Sequence, residues 1–253
     1  PERNRSCSFS RTPDTPAPPP EGTHNTKQPR CLFLTTIKKA PHRPPAPPRH
    51  CQAQRILLTS SGAIYGKQPS HLTHVPEDYA GGPDPLEPRS AYAEGKRAAE
   101  LLGALYAKQY GLSLKVARCF AFVGPYLPLH IHYAIGNFIG DGLRGGPIQV
   151  NGDGTPYRSY LYAADLVIWL WTILFRGEST RPYNVGSAED LTIAELADRI
   201  SQAFTPRVIF QIARAAQPGQ SPERYVPDVT RASQELGLQQ WIDLTESLQR
   251  TIA

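Results

Sequence analysis

A short apolar run at residues 56–58, Ile-Leu-Leu, is followed directly by hydroxyl residues and glycine. This pattern is typical of a buried strand in a parallel sheet, which needs apolar side chains on both faces. The stretch from Arg55 to Gly66 therefore predicts a strand that presents Ser60 and Ser61 at its carboxyl end. Ligands of open parallel sheets bind at that end of the strands, so both serines are candidate site residues.

After residue 54 the chain alternates between helical and strand patterns. The run at residues 166–175 is too short to cross a bilayer and is predicted to be a core helix. A helix is predicted over residues 91–110, with a core-facing stripe at Ala98, Leu101, Leu102 and Leu105. The other predicted elements are strands at residues 114–123 and 148–150, a helix that ends at residues 145–146, a helix over residues 191–204 that Thr192 caps, and a closing helix over residues 241–252.

Tyr92 and Lys96 lie four residues apart on the predicted helix, so their side chains project from one face about one turn apart. A free phenol is a poor base near neutral pH, but a nearby cation favours the phenolate and lowers the pKa of a phenol. With Lys96 as that cation, Tyr92 is a candidate general base. A serine hydroxyl that faces Tyr92 would hold the substrate oxygen while its proton leaves. Ser61 is the better-placed serine, and Ser60 is the alternative.

The segment before residue 54 has a different composition. Residues 1–53 contain 12 of the 26 prolines, and residues 1–55 have ten Lys and Arg against three acidic residues, a charge of +7. Because the whole chain carries +5, the remainder carries −2 and gives no electrostatic reason to expect nucleic acid. Such a segment cannot bury enough apolar surface to offset its ordering entropy, so we expect it to be disordered.

Metal and membrane sites are not predicted. The pairs His71 with His74 and His130 with His132 have no third ligand at a suitable spacing. The four cysteines show no metal spacing and are predicted to be free thiols. The chain opens with no secretory leader and has no run long enough to span a bilayer, so a cytoplasmic location is expected.

Five pieces of the chain together resemble the extended short-chain dehydrogenase/reductases, in particular the NAD-dependent nucleotide-sugar epimerase/dehydratase family. The resemblance covers about residues 54–253. The pieces are Thr-Ser-Ser-Gly-Ala-Ile-Tyr-Gly at 59–66, Ser-Ala-Tyr-Ala-Glu-Gly-Lys at 90–96, Arg-Cys-Phe-Ala-Phe-Val-Gly-Pro at 118–125, Asn-Gly-Asp-Gly at 151–154 with Arg-Ser-Tyr-Leu-Tyr-Ala-Ala-Asp at 158–165, and Tyr-Asn-Val-Gly at 183–186.

The resemblance implies an α/β fold with an incomplete Rossmann-like parallel sheet and a small C-terminal α/β substrate domain. Residues 1–53 form the disordered Pro-rich segment and 54–125 the C-terminal part of the catalytic domain. Residues 126–253 are mainly the substrate-binding domain, from which about 155–186 return to the Rossmann core. The family begins with a strand, a glycine-rich turn and a helix that hold the cofactor pyrophosphate. Residues 1–53 contain one glycine, so this cofactor-binding part is expected to be missing.

The resemblance also assigns roles to residues. Ser61, Tyr92 and Lys96 would be catalytic, and together with Ser60 and Phe120 they would bind the cofactor. That cofactor is NAD, with NADP left open. The substrate would be a nucleoside-diphosphate sugar, and a homodimer is left open. The family assigns the sugar diphosphate to Arg158 and, with weaker support, to Arg224.

Several functions remain open at this point. Dehydratases that resemble the sequence carry Asp-Glu where this chain has Gly62 and Ala63, which cannot move a proton. An epimerase or keto-sugar reductase is therefore favoured over an enzyme that resembles dTDP-glucose 4,6-dehydratase. A catalytically inactive truncated remnant is a further alternative. The least supported alternative is an interaction protein that works through its proline-rich arm.

Overall fold

A computed structural model describes residues 54–131 and 133–253, together with the backbone of residues 31–35. These residues form strands and helices that alternate along most of the chain. The strands are β1 (Cys31–Thr35), β2 (Arg55–Ser61), β3 (Ser113–Cys119), β4 (Phe122–Val123), β5 (Ile148–Val150), β6 (Tyr157–Ser159), β7 (Leu161–Tyr162), β8 (Pro182–Val185), β9 (Asp190–Thr192), β10 (Phe210–Ile212) and β11 (Arg224–Tyr225). The helices are α1 (Ala91–Tyr110), α2 (Ala134–Leu143), α3 (Ala163–Arg176), α4 (Ile193–Gln202), α5 (Thr230–Leu236) and α6 (Leu244–Ile252).

The main sheet has four parallel strands in the order β1, β2, β3, β8. Leu57 and Leu58 are consecutive in β2 and therefore point to opposite faces. Leu57 packs in a cluster with Trp169 and Ile173 of α3, and Leu58 packs in another with Ala107 of α1. Helices therefore cover both faces, as a parallel sheet requires, and the predicted α/β class is confirmed.

One strand lies inside the segment that the sequence predicts to be disordered. Residues 31–35 form β1, which pairs in parallel with β2. The run Cys-Leu-Phe-Leu at 31–34 is the one apolar island of that segment, and pairing with β2 satisfies backbone groups that an unpaired strand would leave open. The structure has a strand at these five residues, within the segment for which the sequence predicts disorder. Residues 1–30 and 36–53 lie outside the described residues, and the predicted domain boundaries stay a prediction.

Helix α1 has its predicted bounds but buries a different face. Leu101, Leu102 and Leu105 are 63%, 53% and 53% exposed, whereas Lys96 is only 5% exposed. A side chain at Gly103 would come within 3.0 Å of a methyl group of Leu114 in β3, so small residues face the sheet here. The leucine prediction was wrong because a second stripe of mainly small residues has the same helical spacing and lets α1 lie closer to the sheet.

Helix α3 is a core helix on one face only. Trp169, Ile173 and Leu174 are buried, whereas Trp171 and Phe175 stack on each other on the exposed side. The predicted core helix is therefore buried on one face, and its other face is exposed. Among the described residues, no helix combines the length and the apolar character that crossing a membrane requires.

A second group of elements surrounds its own apolar cluster. Ile135 and Ile139 of α2 pack there with Leu196 and Ile200 of α4 and with Leu248 of α6. Two small sheets border this cluster, one made of β10 and β5 and the other of β11, β6 and β9 in that order. The predicted cap of α4 is present, because the Thr192 hydroxyl accepts from the backbone N–H of Glu195 and the Glu195 carboxylate accepts in return from Thr192.

The exposed stripe of α1 gives a direct test of which face is buried. Replacing both Leu101 and Leu105 by Gln should change the free energy of unfolding by less than about 1 kcal/mol, because surface substitutions cost little. Leu114→Ala should cost about 2–5 kcal/mol, because this side chain is buried against α1. Denaturant unfolding of the variants would measure both. A loss of several kcal/mol in the double Gln variant would contradict the observed orientation.

Candidate active site

The carboxyl end of the main sheet brings the two predicted serines to one edge. Ser61 pairs with Cys119 across β2 and β3. The Ser61 hydroxyl oxygen caps a 3-10 turn over Gly62–Tyr65 and accepts a 3.2 Å hydrogen bond from the backbone N–H of Ala63. Ser60 is 3% exposed, and its hydroxyl has no hydrogen-bond partner among the described residues. The Ser61 hydroxyl oxygen is thus already hydrogen-bonded, whereas the Ser60 hydroxyl has no partner among the described residues.

Lys96 is fixed next to these serines by a backbone contact. Its Nζ donates a 2.7 Å hydrogen bond to the carbonyl oxygen of Thr59 in β2 and lies 5.8 Å from the ring centroid of Tyr92. Burial lowers the pKa of Lys96, while the thiol of Cys119 opposes this shift. Tyr92 is 55% exposed at the start of α1, so its phenol is open to a ligand. The predicted pair therefore lies on one face of α1, with the lysine buried and the tyrosine accessible.

Tyr225, which sequence reasoning missed, packs against Phe120 at this edge of the site. Burial raises the pKa of Tyr225, so its hydroxyl stays protonated. Ser61 and Arg158 lower the pKa of the Tyr225 phenol, whereas Tyr92 and Cys119 raise it.

Phe120 fills the space in front of the turn that follows Ser61. Its ring lies 4.7 Å from the Tyr225 ring, centroid to centroid. A Cβ atom at Gly62 would come within 2.6 Å of the Phe120 ring, so position 62 accepts no side chain unless Phe120 moves. Burial raises the pKa of the neighbouring Cys119 thiol to about 12, which keeps it protonated near neutral pH. The wall of the site at this point is thus aromatic and uncharged.

The two predicted phosphate-binding arginines do not share a face. In the small sheet, Tyr225 pairs with Arg158 and Arg224 pairs with Tyr157. Since successive residues of a strand point to opposite faces, Arg158 lies on the side of Tyr225 and Arg224 on the other side. Arg224 makes a 2.6 Å contact with the Asp190 carboxylate and covers the Tyr157 ring at 3.8 Å. The structure therefore brings Arg158, but not Arg224, to the side of Ser61 and Tyr92.

Arg158 is only loosely held. Its Nη1 donates to the carbonyl oxygen of Tyr157 at 2.7 Å, and the nearest carboxylate, on the mostly exposed Glu223, is 4.0 Å away. An exposed ion pair of that length contributes little. The side chain is 29% exposed, so most of its donors are available to a ligand. A cavity of about 340 Å³ is lined in part by Tyr157, Thr192 and Glu223, but neither Arg158 nor Ser61, Tyr92 or Lys96 lines it.

A buried polar network stabilises the loop that closes this edge of the sheet. Arg118 makes two contacts with the Glu100 carboxylate and donates to the Tyr65 hydroxyl, which in turn donates to Asn184 Oδ1 at 2.8 Å. The backbone N–H of Asn184 donates to the Glu77 carboxylate, and the Asn184 side-chain amide donates to the carbonyl oxygens of Val75 and Asp228. The network connects β3, α1 and β8 with residues 75–77.

No metal site emerges from this part of the chain. Across residues 54–131 and 133–253, no three or more His, Cys, Asp or Glu side chains are grouped so that they could hold an ion. His74 contacts Thr73 and the carbonyl oxygen of Ala188, and His132 lies outside the described residues. The polar groups at the sheet edge are instead hydroxyls, one ammonium and one guanidinium.

Comparison with known proteins places this geometry in a family. Residues 48–186 match the family described as NAD dependent epimerase/dehydratase. UDP-glucuronic acid decarboxylase 5 of Arabidopsis thaliana is 35% identical over 194 residues, which is 77% of this chain and 55% of that protein. UDP-glucuronic acid decarboxylase 1 of Danio rerio is 35% identical over 198 residues, 78% of this chain and 46% of that protein. The chain therefore spans about half the length of these relatives.

Solved structures show the same fold at lower identity. The UDP-glucose 4-epimerase of Thermotoga maritima, determined with UDP-glucose, matches with a TM-score of 0.68 at 24% identity over 81% of this chain and 64% of that one. The UDP-glucuronic acid 4-epimerase of Bacillus cereus, determined with UDP-glucuronic acid and NAD, matches with a TM-score of 0.67 at 22% identity over 81% and 62%. These matches confirm the Rossmann-like fold class.

Glu77 should make the stability of the loop network depend on pH. Burial raises the pKa of Glu77, so the folded state holds its ionised form less favourably than the unfolded state does. This penalty is present at neutral pH and is relieved as pH falls through the raised folded value toward the ordinary carboxyl range. Glu77→Gln keeps an acceptor for Asn184 but cannot titrate. The melting temperature of the wild type minus that of the variant should therefore rise between pH 8 and pH 5.

The measurement is a series of thermal melts of both proteins at matched ionic strength. A difference in melting temperature that stays constant with pH, or that falls as the solution is acidified, would contradict the assigned burial effect at Glu77.

Proposed function

The chain belongs to the NAD dependent epimerase/dehydratase family, and on that premise we propose that it oxidises a hydroxyl group of a nucleoside-diphosphate sugar with NAD as cofactor. One observation carries the proposal. The Lys96 ammonium lies 5.8 Å from the Tyr92 ring centroid and is held by the carbonyl oxygen of Thr59, two residues before Ser61 at the end of β2. A hydroxyl donor, a phenol and an ammonium thus converge where parallel strands end.

The residues at the sheet edge fit the nicotinamide end of the cofactor. The buried Ser60 hydroxyl has no partner among the described residues, and Lys96 has further N–H donors besides the one given to Thr59. The Phe120 ring lies against Gly62, the residue that follows Ser61. When bound, NAD would supply the hydride acceptor for the sugar carbon. NADP stays open, because nothing among the described residues distinguishes the two.

Proton handling would fall to Tyr92 and Ser61. As a phenolate, the exposed Tyr92 side chain would accept the proton of the sugar hydroxyl, with the Lys96 ammonium as the adjacent positive charge. Ser61 would donate a hydrogen bond to the same sugar oxygen as it becomes a carbonyl oxygen. Because Lys96 is buried and hydrogen-bonded, its charge would act from a fixed position throughout.

Arg158 would bind the diphosphate of the substrate. Its planar fork suits phosphate oxygens, and only a weak contact with Glu223 competes for it. Arg224 is assigned a structural role instead, because Asp190 and the Tyr157 ring already engage it.

For the reaction type, decarboxylation of a nucleoside-diphosphate uronic acid is the first candidate, because the curated relatives are named UDP-glucuronic acid decarboxylases. Oxidation at C4 places a ketone β to the C6 carboxylate. The C5–C6 bond then breaks, CO₂ leaves, and the electron pair moves to the C4 oxygen that Ser61 contacts. The enolate would take a proton from water at C5, and return of the hydride to C4 would give the pentose. This bond cleavage needs no acid or base at Gly62 and Ala63, which agrees with the closed space at Gly62.

Epimerisation is the second candidate, and the same two positions favour it. Returning hydride to the opposite face of the sugar also requires no proton donor at positions 62 and 63. Dehydration by the route that uses an Asp-Glu pair is disfavoured, because Phe120 occupies the space that a side chain at position 62 would need. A homodimer and a cytoplasmic location stay predictions.

The proposal predicts turnover that depends on the three catalytic residues. The 253-residue chain, incubated with NAD and UDP-glucuronic acid, should release CO₂ and form a UDP-pentose, which NMR and mass spectrometry would detect. Tyr92→Phe, Lys96→Met and Ser61→Ala should each lower the rate about 10²- to 10⁴-fold, the usual contribution of a positioned acid or base. Tyr106→Phe, on the same helix but more than three turns further along, serves as the matched control and should leave the rate unchanged.

The products distinguish the candidates. A UDP-sugar that keeps its carboxylate and is inverted at C4 would identify the epimerase. No product from UDP-glucuronic acid or UDP-glucose, together with no rise in melting temperature at millimolar NAD, would overturn the proposal and favour the inactive remnant.

A further inference from the structure

Arg97 follows Lys96 on α1, and the proposed proton transfer does not use it. One nitrogen of its guanidinium, Nη1, donates a 3.1 Å hydrogen bond to the carbonyl oxygen of Ile64 and a 3.0 Å hydrogen bond to that of Gly81. Ile64 lies in the 3-10 turn that directly follows Ser61. Arg97 therefore connects α1 both to this turn and to the loop at residue 81.

Two consecutive basic side chains thus bind the backbone on both sides of Ser61. Lys96 binds the carbonyl oxygen of Thr59, two residues before Ser61, and Arg97 binds that of Ile64, three residues after it. Consecutive residues of a helix point in directions about 100° apart, so the two contacts leave the helix on different sides. The segment that presents Ser61 is therefore attached to α1 at two separate points.

The orientation of the Ser61 hydroxyl depends on this turn. Ser61 Oγ caps the turn and accepts a 3.2 Å hydrogen bond from the backbone N–H of Ala63. Because peptide groups are planar, a donor that holds the carbonyl oxygen of the next residue, Ile64, limits rotation of the peptides around it. A displaced turn would therefore carry the Ser61 hydroxyl with it.

The second carbonyl contact of Arg97 extends the restraint to the loop before α1. Gly66, which ends the turn, has a φ of 70°, and a Cβ atom there would come within 2.3 Å of the Gly82 carbonyl oxygen. A Cβ atom at Gly82 would come within 3.0 Å of Arg97 Nη1. The end of the turn, the loop and the guanidinium are thus in close contact, which leaves little room for the turn to move.

We propose that Arg97 is a positioning residue, which holds the Ser61 hydroxyl at a fixed place relative to Tyr92. The inference rests on the proposed function, in which Ser61 and Tyr92 act on one sugar oxygen. Tyr92 belongs to α1 and Ser61 to the end of β2, so the distance between their oxygens depends on how firmly the turn is attached to the helix.

The first test needs no ligand and uses hydrogen exchange of single backbone amides, measured by NMR on the 253-residue protein. Arg97→Met removes both hydrogen bonds and keeps the aliphatic part of the side chain. The amides of Ala63 and Gly66 close the turn, and we expect them to exchange about tenfold faster in this variant, the effect of one hydrogen bond from a charged donor. The amides of Leu57 and Leu58 in β2 should be unaffected.

Two control variants isolate the hydrogen bonds. Lys108→Met removes an exposed cation from the last turn of the same helix. Glu94→Gln removes the 3.7 Å ion pair of Arg97 but not its carbonyl contacts. Both should leave exchange in the turn unchanged. Arg97→Lys, which keeps the charge on a shorter side chain, is a second and milder variant and should change exchange in the same direction.

The second test is a double-mutant cycle on turnover with NAD and whichever of UDP-glucuronic acid and UDP-glucose the wild type converts. Arg97→Met should lower kcat about tenfold with little change in KM, because the sugar still binds but the Ser61 hydroxyl is displaced. In the Ser61→Ala background, the same substitution should have almost no effect on kcat. The acidic limb of the pH–rate profile should not shift, because Arg97 acts on the turn and not as a charge beside Tyr92.

Each contrary result has a distinct meaning. Unchanged exchange at Ala63 and Gly66, additive losses in kcat, or a shifted acidic limb would overturn the role of Arg97 and leave the proposed function intact. A wild type without turnover would overturn the proposed function and the catalytic consequence of Arg97 together. The exchange rates would then still decide whether Arg97 fixes the turn.

Discussion

The hydrogen bond from Lys96 Nζ to the carbonyl oxygen of Thr59 is the contact on which the arrangement of the site depends. It joins α1 to β2 at the position that precedes the two serines, so a buried ammonium fixes the distance between helix and strand. A buried ammonium that lacked an acceptor would carry a large desolvation cost, so this position tolerates little displacement of α1. The stripe of small residues on α1 permits the close approach of this helix to the sheet. Tyr92 lies on the same face of α1, one turn before Lys96.

A second set of contacts fixes the opposite wall. Arg118, Tyr65, Asn184 and Glu77 form a buried polar network that connects the ends of β3 and β8 with residues 75–77. Burial raises the pKa of Tyr65 to about 12, so its hydroxyl remains able to donate to Asn184. Each member has a hydrogen-bond partner, and such a network favours one geometry over alternatives. Phe120 packs against Tyr65 of this network and against Tyr225. These contacts help to fix the turn after Ser61.

Local signals in the sequence predict much of this architecture. The apolar run at residues 56–58, the spacing of Tyr92 and Lys96, and the Thr192 cap depend on interactions within a few residues, and all three have the predicted local structure. The buried face of α1 could not be predicted in this way. The leucine stripe and the stripe of small residues both have helical spacing, and only the distance between α1 and the sheet decides which of them is buried. Likewise, whether Arg224 or Tyr225 faces the site depends on the register of β11 against β6, which the sequence of a two-residue strand does not determine. An alternation argument from Arg158 would have identified Tyr225 once that pairing was known.

The central claim is that Tyr92 and Ser61 act on a single oxygen atom of a sugar. A crystal structure of the protein with UDP-glucuronic acid would measure this directly. We predict that the Tyr92 phenol oxygen and the Ser61 hydroxyl oxygen both lie within about 2.6–3.2 Å of one sugar hydroxyl, with the diphosphate against Arg158. A sugar that contacts only one of them, or that binds with its hydroxyls directed away from the carboxyl end of β2, would contradict the account.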